Sequence, residues 1–241
     1  MLRSKLMIAS SSTGSDPILR PDNPDLVAFY TMDSISGSAL IDETGNYDGT
    51  IYGATQTTGV IGDALSFNGT SDYVKGDIPT LSQFEISFWV SIDSLVGLKM
   101  ILESSENFIN NAGAFTLNID PDWTITPVQS MFLGVRKSSG YNIVYAPLSL
   151  ITTGQYYHFF IKYDSADNTS SQLQIRINNS LESLQVSAYS NYTAQSINAD
   201  DLFIGSRNGA SLFAGMDIDQ LRIFNRVLTN SERTALYEEG L

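Results

Sequence analysis

Apolar and polar residues alternate most cleanly from Phe84 to Asp93. Phe84, Ile86, Phe88, Val90 and Ile92 oppose Glu85, Ser87, Trp89, Ser91 and Asp93, which is the period of two that a half-buried strand requires. The first set is expected to point into a core. Shorter stretches of strand character follow at Leu26 to Met32, Ala64 to Phe67, Tyr73 to Lys75, Lys99 to Glu103, Ala114 to Ile119 and Met131 to Val135. Asn142 to Ala146, Tyr156 to Tyr163, Leu173 to Ile177, Leu202 to Ile204 and a closing strand around Asp217 to Phe224 complete the series. Gly, Asn, Asp and Ser punctuate the intervals, among them the Asn68-Gly69 turn and a polar loop over Ile41 to Tyr52, so the pattern predicts an all-β sandwich of many short strands.

The closing stretch carries more than a strand. Simple alternation from Asp217 to Phe224 sets Asp217, Asp219, Leu221 and Ile223 on one face and Ile218, Gln220, Arg222 and Phe224 on the other. A carboxylate on a core face must be paired, hydrogen-bonded or metal-bound, which makes Asp219 the most constrained acid in the chain. Thr229 and Glu232 have capping-box spacing ahead of Arg233 to Glu239, and Gly240 follows; a short C-terminal helix is expected there.

Three blocks of residues resemble the laminin G-like, concanavalin A-like lectin/glucanase superfamily. The closing block is Phe213, Gly215, Ile218, Asp219, Leu221, Arg222, Ile223, Phe224, Asn225, Arg226, Leu228 and Glu232. The second is Gly62, Ala64, Leu65, Phe67, Asn68, Gly69, Asp72, Tyr73 and Val74, and the opening one is Phe29 and Asp33 with Asp42, Gly45, Asn46, Asp48 and Gly49. The resemblance implies an antiparallel jelly-roll sandwich of two sheets in which the first and last strands are neighbours. That would bring Asp33 near Asp219. The superfamily serves many functions, so the resemblance bears on the fold far more than on the activity.

Length and composition fit this fold. The 241 residues, 42% of them hydrophobic, suffice for one core, and no fixed-period repeat or composition break marks a second domain. Residues 25 to 241 are expected to form the jelly roll. Residues 1 to 24, with a Ser-rich run, three prolines and no apolar period, read as an extended arm. There are no cysteines and the formal net charge is −13; thiol chemistry is excluded, and a general nucleic-acid surface or adhesion to anionic membranes is disfavoured. No apolar run has the length of a membrane helix or a secretory core.

Hard oxygen donors unaccompanied by thiolate or imidazole favour calcium. Asp33, Asp72 and Asp219 are the candidate ligands, with turn carbonyls between Asn68 and Ser71. The alternative is that these acids cap turns and pair with Arg222 or Arg226. Catalysis has little support. The sole histidine, His158, lies inside a strand, and the glutamates of the acid cluster that related glucanases use are absent around Met216 to Gln220. Aromatic platforms for sugar are sought at Trp89, Trp123, Tyr141, Tyr145, Tyr189 and Tyr192, although most of them could instead fill the sandwich.

Two function classes follow. A laminin G-like domain with Arg3, Lys5 and Arg20 on its arm and an acidic body resembles a component of a bacteriophage or other virus particle, decorating a shell or forming a fibre. Such a component is expected to be a non-catalytic homo-oligomer held by its arm to other subunits, and to bind surface glycans. The alternative is a calcium-assisted carbohydrate-binding lectin module, extracellular or at a cell surface.

Overall fold

The computed structural model describes residues 17–120, 130–182, 185–186 and 192–241. The strands in chain order begin with β1 (Leu26–Tyr30), β2 (Ile35–Ser36), β3 (Ala39–Leu40), β4 (Gly49–Tyr52), β5 (Thr55–Thr58) and β6 (Asp63–Asn68). Next come β7 (Tyr73–Ile78), β8 (Gln83–Ile92), β9 (Lys99–Ser104), β10 (Phe115–Asp120), β11 (Ser130–Arg136) and β12 (Tyr141–Pro147). The last are β13 (Tyr156–Asp164), β14 (Leu173–Ile177), β15 (Ser180–Leu181), β16 (Gln185–Val186), β17 (Asp200–Ile204) and β18 (Gly215–Phe224), followed by the helix α1 (Asn230–Glu238).

They form two antiparallel sheets. The eight-stranded sheet runs β15-β14-β13-β8-β18-β6-β5 with β1 beside β18, and the ten-stranded sheet runs β16-β12-β11-β10-β9-β17-β7-β4-β3-β2. The sandwich expected from the alternation is therefore present, and first and last strands pair, Leu26 opposite Phe224 and Tyr30 opposite Leu221. Part of the Ile41 to Tyr52 loop is strand instead. Its last four residues form β4, because Ile51 faces inward opposite Val74 and Gly49 leaves room for Val74, whose Cγ1 would lie 2.9 Å from an added Cβ.

The main core lies between the sheets. On β8, Phe84, Ile86, Phe88, Val90 and Ile92 face inward and are buried, in register with Tyr163, Ile161 and Phe159 of β13 and with Ile223, Ile218 and Met216 of β18. The opposite row, Glu85, Ser87, Trp89 and Ser91, meets Lys162, Phe160, His158 and Tyr156 on the outer face.

One expectation about β18 is overturned here. Asp219 lies opposite Trp89 and Arg222 opposite Ser87, so β18 spends three steps where β8 spends two. The extra residue is a β-bulge, with Gln220 at φ 52°. Bulging reverses the alternation, so Asp217 and Asp219 join Arg222 and Phe224 on the outer face while Leu221 and Ile223 enter the core. Asp219 does not share a face with Leu221 and Ile223. The bulge also sits where β18 exchanges one neighbour, β6, for another, β1.

Helix α1 covers this outer face. Thr229 and Glu232 form the capping box foreseen in the sequence, and Leu228 and Leu236 pack on Leu26, Phe29, Phe160 and Phe224. A short 3-10 turn at Pro17–Leu19 adds Ile18, which is 1% exposed in the same cluster. The segment read as an arm therefore contributes a buried anchor at its end. Ile18→Ala is expected to destabilise the domain by about 2–3 kcal/mol, as an aliphatic truncation at a site of moderate enclosure. An unchanged urea midpoint would show that this turn is docked without being part of the cooperative unit.

Candidate functional site

Helix α1 covers the middle of the eight-stranded sheet's outer face, and two cavities lie on the outer face of the ten-stranded sheet, most of whose residues are themselves buried. Strand register assigns its residues. Across the strands runs a row of Ile143, Gly134, Thr116, Glu103, Phe203, Lys75 and Thr50, each directly opposite the next. Beside it runs a second row of Tyr145, Phe132, Asn118 and Met100. Their neighbours in sequence, among them Leu117, Leu133, Val144, Leu202 and Val74, point into the core.

A cavity of about 240 Å³ opens on this face, lined by Leu98, Met100, Phe108, Ile109, Asn118, Phe132, Tyr141 and Arg207. Phe108 comes from the loop after β9. Its N–H donates to Glu103 Oε1 at 2.7 Å, and its ring stands edge-on to Phe132 at 6.1 Å and tilted to Tyr141 at 5.9 Å. Gly134 makes that packing fit, since an added Cβ would come within 2.6 Å of the Phe132 ring and 2.9 Å of Phe108.

Two polar groups face the rings. Arg207 Nε donates to both Glu103 oxygens, at 3.2 and 3.0 Å. Burial pushes the Glu103 carboxyl up, and the Arg207 hydrogen bond, the Phe108 N–H and the Arg207 charge pull it down. Asn118 is 4% exposed; its Nδ2 donates to Thr116 Oγ1 at 3.3 Å and its Oδ1 has no partner among the described residues. A buried amide left half unsatisfied costs stability unless something else completes it.

A second, polar cleft of about 280 Å³ lies along the same face, lined by Asp48, Thr50, Lys75, Gly76, Asp77 and Asp201. Lys75 Nζ is 2.9 Å from Asp201 Oδ2 and sits over the Phe203 ring. At its edge Tyr52 and Tyr73 stack with centroids 4.4 Å apart and planes 8° from parallel, leaving Tyr52 43% exposed. A further cavity of about 420 Å³ near Ile18, Arg20, Asp25 and Arg226 borders residue 17, where the described chain begins. Its Arg226 is already held by Asp25 at 2.6 Å and Glu232 at 2.7 Å.

The aromatic residues singled out in the sequence divide accordingly. Tyr141 lines the cavity, with the Arg136 guanidinium 4.3 Å from its ring centre. Tyr145 is on the same face but buried, edge-on to Phe132 at 5.5 Å, and so supports the cavity from beneath. Trp89 is no platform. It is 5% exposed beneath α1, stacked on Tyr237 at 5.7 Å, because the polar-looking face of β8 is roofed by the helix. Tyr192 is half-buried and its carbonyl accepts from Gln172 Nε2 at 3.0 Å. Trp123 and Tyr189 lie outside the described residues. Phe108, Asn118, Phe132, Arg207, Tyr52 and Tyr73 were not foreseen as a site. The one available signal was Met131-Phe132-Leu133, apolar on both faces of a strand, which places an aromatic where a solvent-facing residue is usual.

The three acids proposed for calcium do not converge. Among the described residues no group of three or more His, Cys, Asp or Glu side chains is placed to hold a metal ion. Asp72 belongs to its own turn, accepting from Asn68 N–H, Asn68 Nδ2 and Ser71 Oγ. Asp33 and Asp219 do meet, over the turn from Gly59 to Asp63: Asp219 Oδ2 accepts from Val60 N at 2.8 Å and Ile61 N at 2.9 Å, and Asp33 Oδ1 from Asp63 N at 2.6 Å. A lining of N–H donors suits carboxylates that cap a turn and suits a cation poorly.

Asp219 is fully buried with Oδ1 unpartnered, and burial, then the Asp33 charge, raise its carboxyl from 3.8 to about 6 against the pull of the turn N–H groups. A folded value above the unfolded one means that this proton stabilises the fold fully below pH 3.8, and that the contribution is lost as pH rises through about 6. Asp219→Asn keeps an acceptor for the turn and offers Asp33 a donor. It is expected to raise stability at pH 7 by up to about 3 kcal/mol, at about 1.4 kcal/mol per pH unit, and to abolish the fall in stability between pH 4 and 6. Urea melts at the two pH values decide this, and equal slopes in both proteins sink it. Melting with chelator and with millimolar calcium is the companion measurement, in which a calcium-dependent rise would assign the acid pair to a metal.

The model of the concanavalin A-like lectin/glucanases superfamily matches residues 68–232. Among solved structures, domain 4 of an extracellular arabinanase from Geobacillus stearothermophilus, in complex with arabinotriose, is 22% identical, with 88% of this chain and 98% of that one covered and a TM-score of 0.62. The receptor binding domain of botulinum neurotoxin D is 15% identical over 89% of this chain and 52% of its own, with a TM-score of 0.64. A Trypanosoma rangeli sialidase is 17% identical over 88% of this chain and 32% of its own, with a TM-score of 0.60. The chain thus spans about half of the toxin domain and a third of the sialidase. No curated protein sequence matches the chain closely enough to count as a relative.

Proposed function

The chain belongs to the concanavalin A-like lectin/glucanase superfamily, and from that premise and the cavity on its ten-stranded sheet we propose that it is a carbohydrate-binding module that does not cleave its ligand. The observation that carries the proposal is the cavity in which the half-buried Tyr141 ring stands with the exposed Leu98 and Ile109 over the buried Phe108 and Phe132 rings, the half-satisfied amide of Asn118 and the Arg207–Glu103 pair. Ring faces with a few fixed polar groups are what a sugar needs, apolar C–H surface on one side and hydroxyls on the other. A similar fold holding arabinotriose in the arabinanase domain supports the choice of ligand class.

The absence of cleavage is part of the same reading. His158 is buried between Trp89, Phe160 and Tyr237, and burial, then the Arg222 charge, hold its imidazole down at about 3. It is neutral and unreachable. Asp219, in the stretch nearest to the superfamily's acid cluster, is buried at 0% exposure, with its Oδ2 capping the turn at Val60 and Ile61.

The test is retention on a glycan array, with arabinotriose and linear arabinan as first probes. At least one neutral glycan should be retained, and Tyr141→Ala should weaken it about tenfold, the loss of one stacking contact of roughly 1.4 kcal/mol. No retained glycan, or equal binding by Tyr141→Ala and Phe108→Ala, overturns the proposal; new reducing ends from the retained glycan overturn its non-catalytic part. A second reading places this module on a virus particle, held through the basic residues Arg3, Lys5 and Arg20 to an acidic neighbour or another copy. Its motive lies mostly in residues outside those described, and co-purification of the full chain, but not of one lacking residues 1–16, with assembled particles tests it.

A further inference from the structure

The aromatic cavity on the ten-stranded sheet offers a ligand less ring and more aliphatic surface than its lining suggests. Met100, Phe108 and Phe132 form a buried floor, so what a ligand meets is Leu98, Ile109, Tyr141 and Arg207. Leu98 is 36% and Ile109 46% exposed, and Val96, two residues before Leu98 in the same loop, is 74% exposed. Tyr141 is half-buried, and the Arg136 guanidinium, 4.3 Å from its ring centre, takes up one face of the ring. There remains a single aromatic face, room for one sugar ring, beside two aliphatic side chains.

An aliphatic wall does not suit a bare sugar. A hydroxyl pressed against leucine and isoleucine loses its water and gains no partner, whereas a methyl group there is favoured. The polar wall is equally selective. Arg207 gives its Nε to both Glu103 oxygens, and its Nη1 and Nη2 make no hydrogen bond among the described residues. A guanidinium only donates, so these two groups call for an acceptor. A ligand carboxylate is a poor choice for it, because Glu103 already balances the Arg207 charge and the chain has a formal net charge of −13. A neutral carbonyl oxygen fits.

An acyl group carries both missing parts, a carbonyl oxygen and a methyl group on the same carbon. Resting on the carbohydrate-binding reading, we propose that the cavity selects neutral sugars that bear an acyl substituent, N-linked or O-linked. The acyl group enters first, its oxygen accepting from Arg207 Nη and its methyl against Leu98 and Ile109, while the sugar ring stays at the mouth against Tyr141.

The test is a glycan array of the common hexoses and hexosamines in unacylated, N-acetylated, N-formylated and O-acetylated forms, with arabinotriose and linear arabinan, followed by calorimetric titration of the full chain with the retained sugars. Acylated forms should bind at least tenfold more tightly than their unacylated counterparts, and N-acetyl about fourfold more tightly than N-formyl, the transfer of one methyl group. The N-acetyl and O-acetyl arms separate an amide from an ester as the source. Ile109→Ser should erase the preference for N-acetyl over N-formyl, and Arg207→Lys should weaken acylated sugars roughly tenfold, the loss of a hydrogen bond from a charged donor. Ile109 is exposed, so an unchanged melting temperature will show that its variant is folded, and this variant decides the matter if Arg207→Lys does not fold. Unacylated sugars, the arabinans included, that bind as tightly as acylated ones overturn the proposal while leaving carbohydrate binding intact, and so does an Ile109→Ser variant with the wild-type preference. Failure of every sugar to bind overturns the underlying reading.

Discussion

Phe88→Ala is expected to lower the stability of the domain by about 3–5 kcal/mol, the range for a buried aromatic truncated in a core that cannot collapse around the void. The site gives little room for relaxation. Phe88 is 0% exposed, lies at the centre of the longest alternating strand and stacks on Phe159 of β13 with centroids 5.7 Å apart and planes 14° from parallel. On its other side β18 carries the bulge, where Gln220 and Leu221 together stand opposite the Phe88 position between the Asp219–Trp89 and Arg222–Ser87 pairs. Collapse of the cavity would have to move a strand whose pairing changes at that point from β6 to β1. A loss below about 1 kcal/mol in urea titration would mean that the packing there is looser than the register implies.

The same region shows what the sequence could and could not tell. Period two in Phe84 to Asp93 is enough to choose the core face of β8, because each inward residue is large and apolar and each outward one is not. The family-like acids and amides are legible for a different reason, which is that they tie loops. Asp42 accepts from the N–H groups of Phe29, Thr44, Asn46 and Tyr47, and Asn68 Oδ1 from those of Thr70 and Ser71. Motif residues of this kind mark turns that the fold needs, and Asp42, Asp72 and Asp219 each accept hydrogen bonds from one such turn. The bulge at Gln220 carried no warning, since a positive φ at glutamine has neither the glycine nor the asparagine that usually announces it, and Asp219 was placed on the wrong face as a result.

The binding face was hidden for a third reason. Asn118, Phe132, Tyr141 and Arg207 are scattered over about ninety positions, each a single residue on the non-core side of its strand or in a loop. Only the strand register brings them together, and register is a tertiary property that alternation within one strand does not contain. Trp89 shows the converse. Its sequence neighbours Glu85, Ser87 and Ser91 suggest an open polar face, yet Glu85 is taken up by Leu228 N–H and Arg233, and Trp89 itself by Tyr237, all more than a hundred residues later.

Glu85→Ala is expected to be the most damaging change on that covered face, at about 3–5 kcal/mol. Glu85 is 0% exposed and receives Arg233 Nε at 2.5 Å, Arg233 Nη2 at 2.8 Å and the N–H of Leu228 at 2.8 Å. A single carboxylate on β8 thus holds both the entry to α1 and its middle. Removing it leaves a 5% exposed guanidinium and a backbone donor without their acceptor, and an uncompensated buried charge, more than the lost attraction, sets the cost. Because α1 roofs Trp89 through Tyr237 and Leu236 lies in the cluster with Phe29 and Phe160, the helix should lift before the sandwich melts, and tryptophan emission should shift to the red at denaturant concentrations where strand circular dichroism is still native. Pairing the change with Arg233→Met removes the stranded charge and should restore more than half of the lost stability, since apolar replacement of a buried ion pair is often close to neutral. If the double variant is as unstable as Glu85→Ala alone, the guanidinium is not the source of the penalty, and the unpaired Leu228 N–H or the lost side-chain packing becomes the better account.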